Sequence, residues 1–161
     1  MKKQFLVSAA LFLLLFCAAL AQAQQLTVQI GGGKATVLTR ADLEVLPHVK
    51  VTTTKAGTST VFEGVALEAA LEKAGVQFGE SLRGKRLASC LLVEAADGYR
   101  AVIALPEIDP AFTDKQTVLA FLKDGKPLDD KEGPYRLVIP DEKRMARWVR
   151  QVTALKILDV Q

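Results

Sequence analysis

The sequence VKVTTTKAGTSTVFEGVALEAALEKAG, residues 49–75, contains both kinds of regular structure from which this chain is built. Two runs rich in β-branched residues, VKVTTTK and STVFEGV, flank the dipeptide Ala56-Gly57, a pattern typical of two strands joined by a tight turn. The run ALEAALEKAG follows, with apolar residues at helical spacing and Gly75 where a C-terminal cap belongs. The segment therefore predicts a hairpin-like strand pair followed by a helix.

The rest of the chain predicts more short strands than helices. Thr39 and Asp42 form a variant of the capping box, which predicts a short helix ending before Pro47. Asp-Gly dipeptides at 97–98 and 124–125 favour type I′ turns between paired strands. Strands are predicted for LTVQI (26–30), ATVLT (35–39), LASCLLVEAA (87–96), YRAVIAL (99–105), VLAFLK (118–123), KPL (126–128), RLVIP (136–140) and VTALKILDV (152–160). Eight or nine short strands, two or three short helices and no regular β-α alternation indicate a compact α+β domain with a largely antiparallel or mixed sheet.

The first 23 residues have the pattern of a secretory signal peptide. Lys2 and Lys3 precede an apolar run, and Ala21-Gln22-Ala23 matches an A-x-A cleavage site. We expect cleavage after Ala23, which leaves one domain of residues 24–161, periplasmic or secreted and without a membrane segment. Loss of the two lysines lowers the formal net charge from +3 to +1. Such a balance argues against nucleic-acid binding, which requires a dense basic surface.

Removal of this segment also leaves Cys90 as the single cysteine, so no intramolecular disulfide is expected. Cys90 lies in an apolar run with β character. Because unpaired cysteines are among the most buried residue types, we expect its thiol to be buried. His48 stands alone, with no second ligand at metal-binding spacing, and no metal site is predicted.

Six motifs along the chain together resemble a known family. In order they are L..LP.V.V (43–51), F.GV.L...L..AG (62–75), DGY (97–99), G.PL (125–128), GP.RLV.P (133–140) and RWV..V (147–152). Each motif is weak alone, but their order and spacing resemble the molybdopterin-binding domain of the sulfite oxidase family. The resemblance covers about residues 26–160. It implies a compact α+β domain that holds a molybdenum-pyranopterin cofactor.

The resemblance also identifies a departure from the family pattern. In catalytic members, a cysteine thiolate between the LP.V.V strand and the GV.L helix binds molybdenum. The equivalent stretch here is VTTTKAG, in which Lys55 stands at the cysteine position and Thr58 and Ser59 replace the Asn and Arg that commonly follow. Lysine cannot replace a soft thiolate on molybdenum, and Cys90 falls on a different predicted strand. We therefore expect no molybdenum-thiolate catalysis and assign no catalytic residue or metal ligand.

The segment GPYRLVIPDEKRMARWVRQV, residues 133–152, carries five cations and the only tryptophan. The resemblance implies that basic groups here contact the phosphate of the pterin, and Arg binds phosphate through paired hydrogen bonds. The candidate cofactor-binding residues are Lys55, Arg136, Lys143 and Arg147. Two alternatives stay open: a solvated basic face with Asp141 and Glu142 as partners, and for Arg136 a structural ion pair. Trp148 is then a core anchor.

Two functions follow from these observations. One is an exported domain that binds a pterin cofactor or another small anion; if it is an enzyme, it is a component of a molybdopterin-dependent oxidoreductase. The other is a catalytically inactive periplasmic accessory domain of the same fold that binds a protein partner. For a residual enzyme using other groups, the sequence offers no constellation of catalytic residues. Convergence of Lys55, Arg136 and Arg147 on one concave pocket would favour the first function.

Overall fold

The computed structural model of the chain describes residues 25–55 and 57–159. The predicted signal peptide, residues 1–23, lies outside the described residues. Strands are β1 Leu26–Ile30, β2 Thr36–Leu38, β3 His48–Lys55, β4 Thr58–Ala66, β5 Cys90–Ala95, β6 Arg100–Ala104, β7 Val118–Lys123, β8 Lys126–Pro127, β9 Arg136–Val138 and β10 Val152–Leu158. The α-helices are α1 Arg40–Glu44 and α2 Leu67–Lys73, and 3-10 helices lie at Gly79–Ser81, Gly84–Ala88, Leu105–Glu107 and Met145–Arg147. The α+β prediction is confirmed.

The strands form two five-stranded sheets. The first has the order β2-β1-β10-β5-β6, and its β1–β10 pair is parallel while its other pairs are antiparallel. The second has the order β3-β4-β7-β8, with β9 also paired to β7, and is antiparallel throughout. Inward-facing residues of both sheets and the buried face of α2 belong to one hydrophobic core. The prediction of a mixed or antiparallel sheet is therefore confirmed.

Local signals in the sequence account for most element boundaries. The capping box of α1 is present, since the Thr39 hydroxyl accepts from the Asp42 N–H and the Asp42 carboxylate accepts from the Thr39 N–H. The helix ends at Glu44, before Pro47 as predicted. Gly75 follows α2 with a φ of 99°, the left-handed conformation that suits glycine at a helix end.

The two Asp-Gly dipeptides form different turns. At 124–125 both residues have positive φ, as a type I′ turn between β7 and β8 requires. At 97–98 only Gly98 has positive φ, so this turn is not type I′. The Asp97 side chain instead accepts the N–H of Tyr99, and the four residues 96–99 join β5 to β6. The strand pairing was predicted correctly, and the turn type at 97–98 was wrong.

Gly64 marks a point of close backbone contact between β4 and β7. A Cβ atom at this position would lie 2.1 Å from the carbonyl oxygen of Leu119. The register of the two strands also shifts between Glu63 and Gly64, as at a β-bulge. Only glycine fits this site, which explains the glycine of the F.GV.L motif. No helix among the described residues is long and apolar enough to cross a membrane.

Candidate functional site

Lys55 lies at the tip of the β3–β4 hairpin. The two strands pair along their full length to the last partners, Lys55 and Thr58, and Gly57 provides the positive φ of the turn. The Lys55 side chain is exposed, and its Nζ lies 4.0 Å from the Sδ of Met145. It forms no ion pair with a described carboxylate. The hairpin thus presents an ammonium group to the 3-10 helix at Met145–Arg147.

Arg136 lies on β9 within a partly buried ion cluster. Its Nη1 is 2.8 Å from Glu132 Oε1, and the same oxygen accepts from Lys123 at 3.0 Å. The guanidinium also lies over the rings of Phe62, at 5.1 Å, and Trp148, at 5.7 Å. Burial opposes ionisation of Glu132, but the hydrogen bonds from Lys123 and Arg136 outweigh it, and the pKa of Glu132 is lowered. Arg136 is therefore a structural cation neutralised within the chain, one of the alternatives that the sequence left open.

Three polar atoms of this cluster are enclosed without a hydrogen-bond partner in the described part of the chain: Glu132 Oε2, Arg136 Nε and Trp148 Nε1. Leaving such an atom unpaired costs about 1–3 kcal/mol, so the surrounding packing must hold the cluster in place. Because the two donors are enclosed by protein, they do not face a surface that an anion reaches. Trp148 is buried, and its prediction as a core anchor is confirmed.

Arg147 ends the 3-10 helix at Met145–Arg147, and two carboxylates already contact its guanidinium. Its Nε donates to Glu142 at 2.7 Å and its Nη2 to Glu107 at 3.1 Å. The hydrogen bond that Arg147 donates to Glu107, with the one it donates to Glu142, outweighs burial and raises the pKa of Arg147. These three residues, with Lys115 and Phe112, line an open cavity of about 290 Å³. An anion entering this cavity would have to displace a carboxylate from the guanidinium.

Lys143 is exposed and has no partner among the residues described. Of the four candidate residues, Lys55 contacts the 3-10 helix that contains Arg147, but Arg136 is enclosed elsewhere and Lys143 faces solvent. Among the four described cavities, Arg147 lines one and the other three residues line none. The candidates therefore do not converge on one pocket.

Comparison with known proteins agrees with the sequence motifs. A family model described as "Oxidoreductase molybdopterin binding domain" matches residues 18–161, nearly the whole chain. The chain belongs to this family. A search of curated protein sequences gave no significant match.

The fold of this family member is also similar to a solved structure. The sulfane dehydrogenase SoxCD from Paracoccus pantotrophus aligns with a TM-score of 0.66 and 23% sequence identity. The alignment covers 86% of the present chain and 39% of the other chain. At this identity the likeness establishes the fold alone, and the present chain spans well under half the length of its neighbour.

The residues at the candidate site do not fit the cofactor that the family name implies. Cys90 begins β5 in the first sheet, where it pairs with Ala104 and Leu158, whereas Lys55 ends β3 in the second sheet. No thiolate is thus available at the hairpin tip, and the part of the chain that the structure describes contains no cluster of three His, Cys, Asp or Glu side chains suited to a metal. The arginines predicted to bind phosphate already contact carboxylates. Cys90 is half-buried, so the prediction that it is buried was wrong.

Sequence reasoning identified Glu142 as a partner of the basic segment but missed two others. Glu132 and Glu107 neutralise Arg136 and Arg147. Glu107 is distant in sequence from Arg147, and only the packing of the 3-10 helix at Leu105–Glu107 brings them together. Glu132 precedes Arg136 by four residues, but this spacing indicates contact only on a helix, and the segment is not helical. No sequence signal was available for either pair.

Proposed function

We propose that this chain is an exported accessory domain of the oxidoreductase molybdopterin-binding family that binds a protein partner and performs no molybdenum-thiolate catalysis. The observation that carries the proposal is the internal neutralisation of Arg136 and Arg147 by carboxylates of the same chain. A phosphate group would have to compete with Glu132 in an enclosed cluster, or with Glu107 and Glu142 for Arg147. Both competitions lower the affinity for an anion.

The hairpin tip supports the same proposal. By the resemblance described above, Lys55 occupies the position of the molybdenum-binding cysteine of catalytic members. Its ammonium is a hard, cationic group in an exposed position, and it offers no thiolate. Because the hairpin tip carries no thiolate and both Arg136 and Arg147 contact carboxylates, we infer that the domain offers its exposed surface rather than an enclosed cleft to other molecules.

Export is part of the proposal and rests on the sequence of residues 1–23. A positively charged N-terminal region, an apolar run and the A-x-A site together match a signal peptide. Cell fractionation and the N-terminal sequence of the purified protein test this part. We expect a periplasmic or secreted protein that begins at Gln24. A cytoplasmic protein that retains Met1 or Lys2 would refute it.

The cofactor content of the protein tests the rest. The full chain is produced in a host that makes and exports the molybdenum cofactor, and molybdenum and oxidised pterin are measured per purified chain. A catalytic family member from the same host serves as the positive control. We expect neither molybdenum nor pterin in stoichiometric amount. Stoichiometric metal would contradict our interpretation of Lys55, and pterin without metal would identify a cofactor carrier instead.

A matched variant distinguishes two reasons for the expected absence of molybdenum: the missing thiolate and the neutralised arginines. Lys55→Cys places a thiol at the hairpin tip without changing Arg136 or Arg147. We expect this variant also to purify without molybdenum, because the internal ion pairs remain. Recovery of molybdenum by Lys55→Cys would show that the wild-type protein lacks only the thiolate. It would refute internal neutralisation of the arginines as the reason why the protein binds no molybdenum.

A further inference from the structure

The five cations of residues 133–152 fall into two groups. Arg136 and Arg147 are bound to carboxylates of the chain. Lys143, Arg144 and Arg150 are exposed, and none of them has an ion-pair partner in the described ranges. Arg136 and Arg147 therefore have a structural role, as members of ion pairs within the domain. The exposed three have no such structural role.

The hairpin tip adds a fourth exposed cation to this group. Lys55 Nζ contacts Met145, which directly follows Lys143 and Arg144. Arg150 and Met145 line the same open cavity, of about 250 Å³, together with Tyr99 and Trp148. Lys55 thus contacts Met145, Lys143 and Arg144 precede it in the chain, and Arg150 lines a cavity with it; we call these four cations the basic patch.

The centre of the basic patch is held by a hydrogen bond between two segments and is partly apolar. Tyr99 is half exposed, and its hydroxyl donates to the Ala146 carbonyl at 2.6 Å, which ties the β5–β6 turn to the 3-10 helix. Met145 is partly buried and packs against the hydrophobic core. Tyrosine, methionine, tryptophan and arginine are enriched at protein–protein interfaces, where apolar centres are surrounded by polar rims.

The carboxylates near the basic patch do not neutralise it. Asp97 lines the same cavity as Arg150, and Asp141 precedes Lys143 by two residues, but neither forms an ion pair with a described cation. Glu142 is bound to Arg147. The four cations of the patch thus carry no ion pair with a carboxylate of the described residues.

We propose that the basic patch is the docking surface for an acidic face of a protein partner. The proposal rests on the proposed function and adds the chemistry of the partner. Charge complementarity selects an acidic surface and accelerates encounter with it. A small anion is disfavoured, because no described cavity is lined by more than one of the four cations. The apolar centre with Tyr99 and Met145 favours a protein surface, which supplies side chains to pack there.

The test uses the mature protein and a fluorescein-labelled peptide of alternating glutamate and leucine residues as the probe. Fluorescence anisotropy measures its binding at low and at high salt. The charge-reversal variant Lys143→Glu/Arg144→Glu is compared with Lys126→Glu/Lys131→Glu, which alters two exposed cations outside the patch and changes the net charge equally. We expect the patch variant to weaken binding about tenfold or more, and the control less than about twofold. High salt should weaken binding to the wild-type protein.

An unlabelled peptide of the same sequence provides a second readout that locates the probe. Trp148 is the only tryptophan of the chain and lines the cavity at the patch. Its emission should change when this peptide binds the wild-type protein and should not change in the patch variant. Equal weakening by the two variants, or binding without a change in Trp148 emission, would refute the patch as the site.

Other ligands are tested as competitors. Vesicles of phosphatidylglycerol that bind the protein when the peptide does not would identify a membrane surface as the target and overturn the proposal. Displacement of the peptide by inorganic phosphate at constant ionic strength would identify a small-anion site and also overturn it. Failure of the proposed function can be distinguished from failure of the docking proposal. Stoichiometric cofactor in a protein that still binds the peptide at the patch would refute the proposed function and leave the docking surface in place.

Discussion

Replacement of Glu132 by glutamine should destabilise this domain strongly, because it leaves the buried Arg136 without its carboxylate. The Arg136 and Glu132 side chains are only 11% and 15% exposed. Removing one partner of a buried ion pair costs about 3–5 kcal/mol. Because the glutamine amide oxygen still accepts one hydrogen bond, we expect the lower end of this range, about 3 kcal/mol, and a decrease in Tm of roughly 10 °C.

The chain contains a matched control for this variant. Arg40 and Glu44 form an ion pair with the same four-residue spacing, but the Glu44 side chain is 51% exposed. Exposed pairs of this kind contribute about 0.3–0.5 kcal/mol, so Glu44→Gln should have little effect. Urea denaturation at neutral pH gives the free energy of unfolding of both variants and the wild-type protein.

Equal stability of the Glu132→Gln and Glu44→Gln variants would refute the reasoning. Arg136 would then not depend on Glu132, and its charge would be available to an anion. A second measurement examines the same point in the wild-type protein. Inorganic phosphate at constant ionic strength should not raise its Tm, because a ligand that binds the native state stabilises it in proportion to its occupancy.

Three further predictions concern the fold. Gly64→Ala should destabilise the domain by about 3 kcal/mol or more in urea denaturation, since its Cβ would meet the Leu119 carbonyl oxygen, whereas Gly32→Ala, with open space around it, should be near neutral. Asp124→Ala should cost about 2 kcal/mol, because it loses a hydrogen bond to β4 and places alanine at positive φ; Asp124→Asn should retain most of the stability. The stability that Glu132 contributes through its lowered pKa is present above the ordinary value of 4.5 and is lost as the pH falls through the lowered value. The difference in unfolding free energy between wild type and Glu132→Gln should therefore shrink as the pH is lowered from about 6 to about 3, and a constant difference would contradict this linkage.

Much of the fold could be predicted because its signals are local. The Thr39–Asp42 capping box, the hairpin around Ala56-Gly57 and the helix ending before Gly75 each depend on residues within a few positions of one another. The Asp-Gly turns show the limit of such rules. The same dipeptide forms a type I′ turn at 124–125 and a different turn at 97–98, because the Asp97 side chain bonds to the N–H of Tyr99 there.

The candidate site was predicted less well, because charge pairing depends on distant groups. The family resemblance predicted Lys55, Arg136, Lys143 and Arg147 as cofactor-binding residues. Whether each cation is free to bind an anion depends on carboxylates in other parts of the chain. Burial was predicted for Cys90 from its apolar neighbours. This residue is half-buried, since alternate residues of β5 point to opposite faces of the sheet and only one face meets the core.

The sequence by itself determined the α+β class, the order of the elements and the family, since periodicity, turn residues and motif spacing are properties of the chain. From the family resemblance it also predicted that lysine stands at the position of the family cysteine. Only the tertiary structure decided which cations are neutralised. Glu107 meets Arg147 and Glu132 meets Arg136 through packing of non-helical segments, and the strength of each pair depends on burial, which no local pattern encodes.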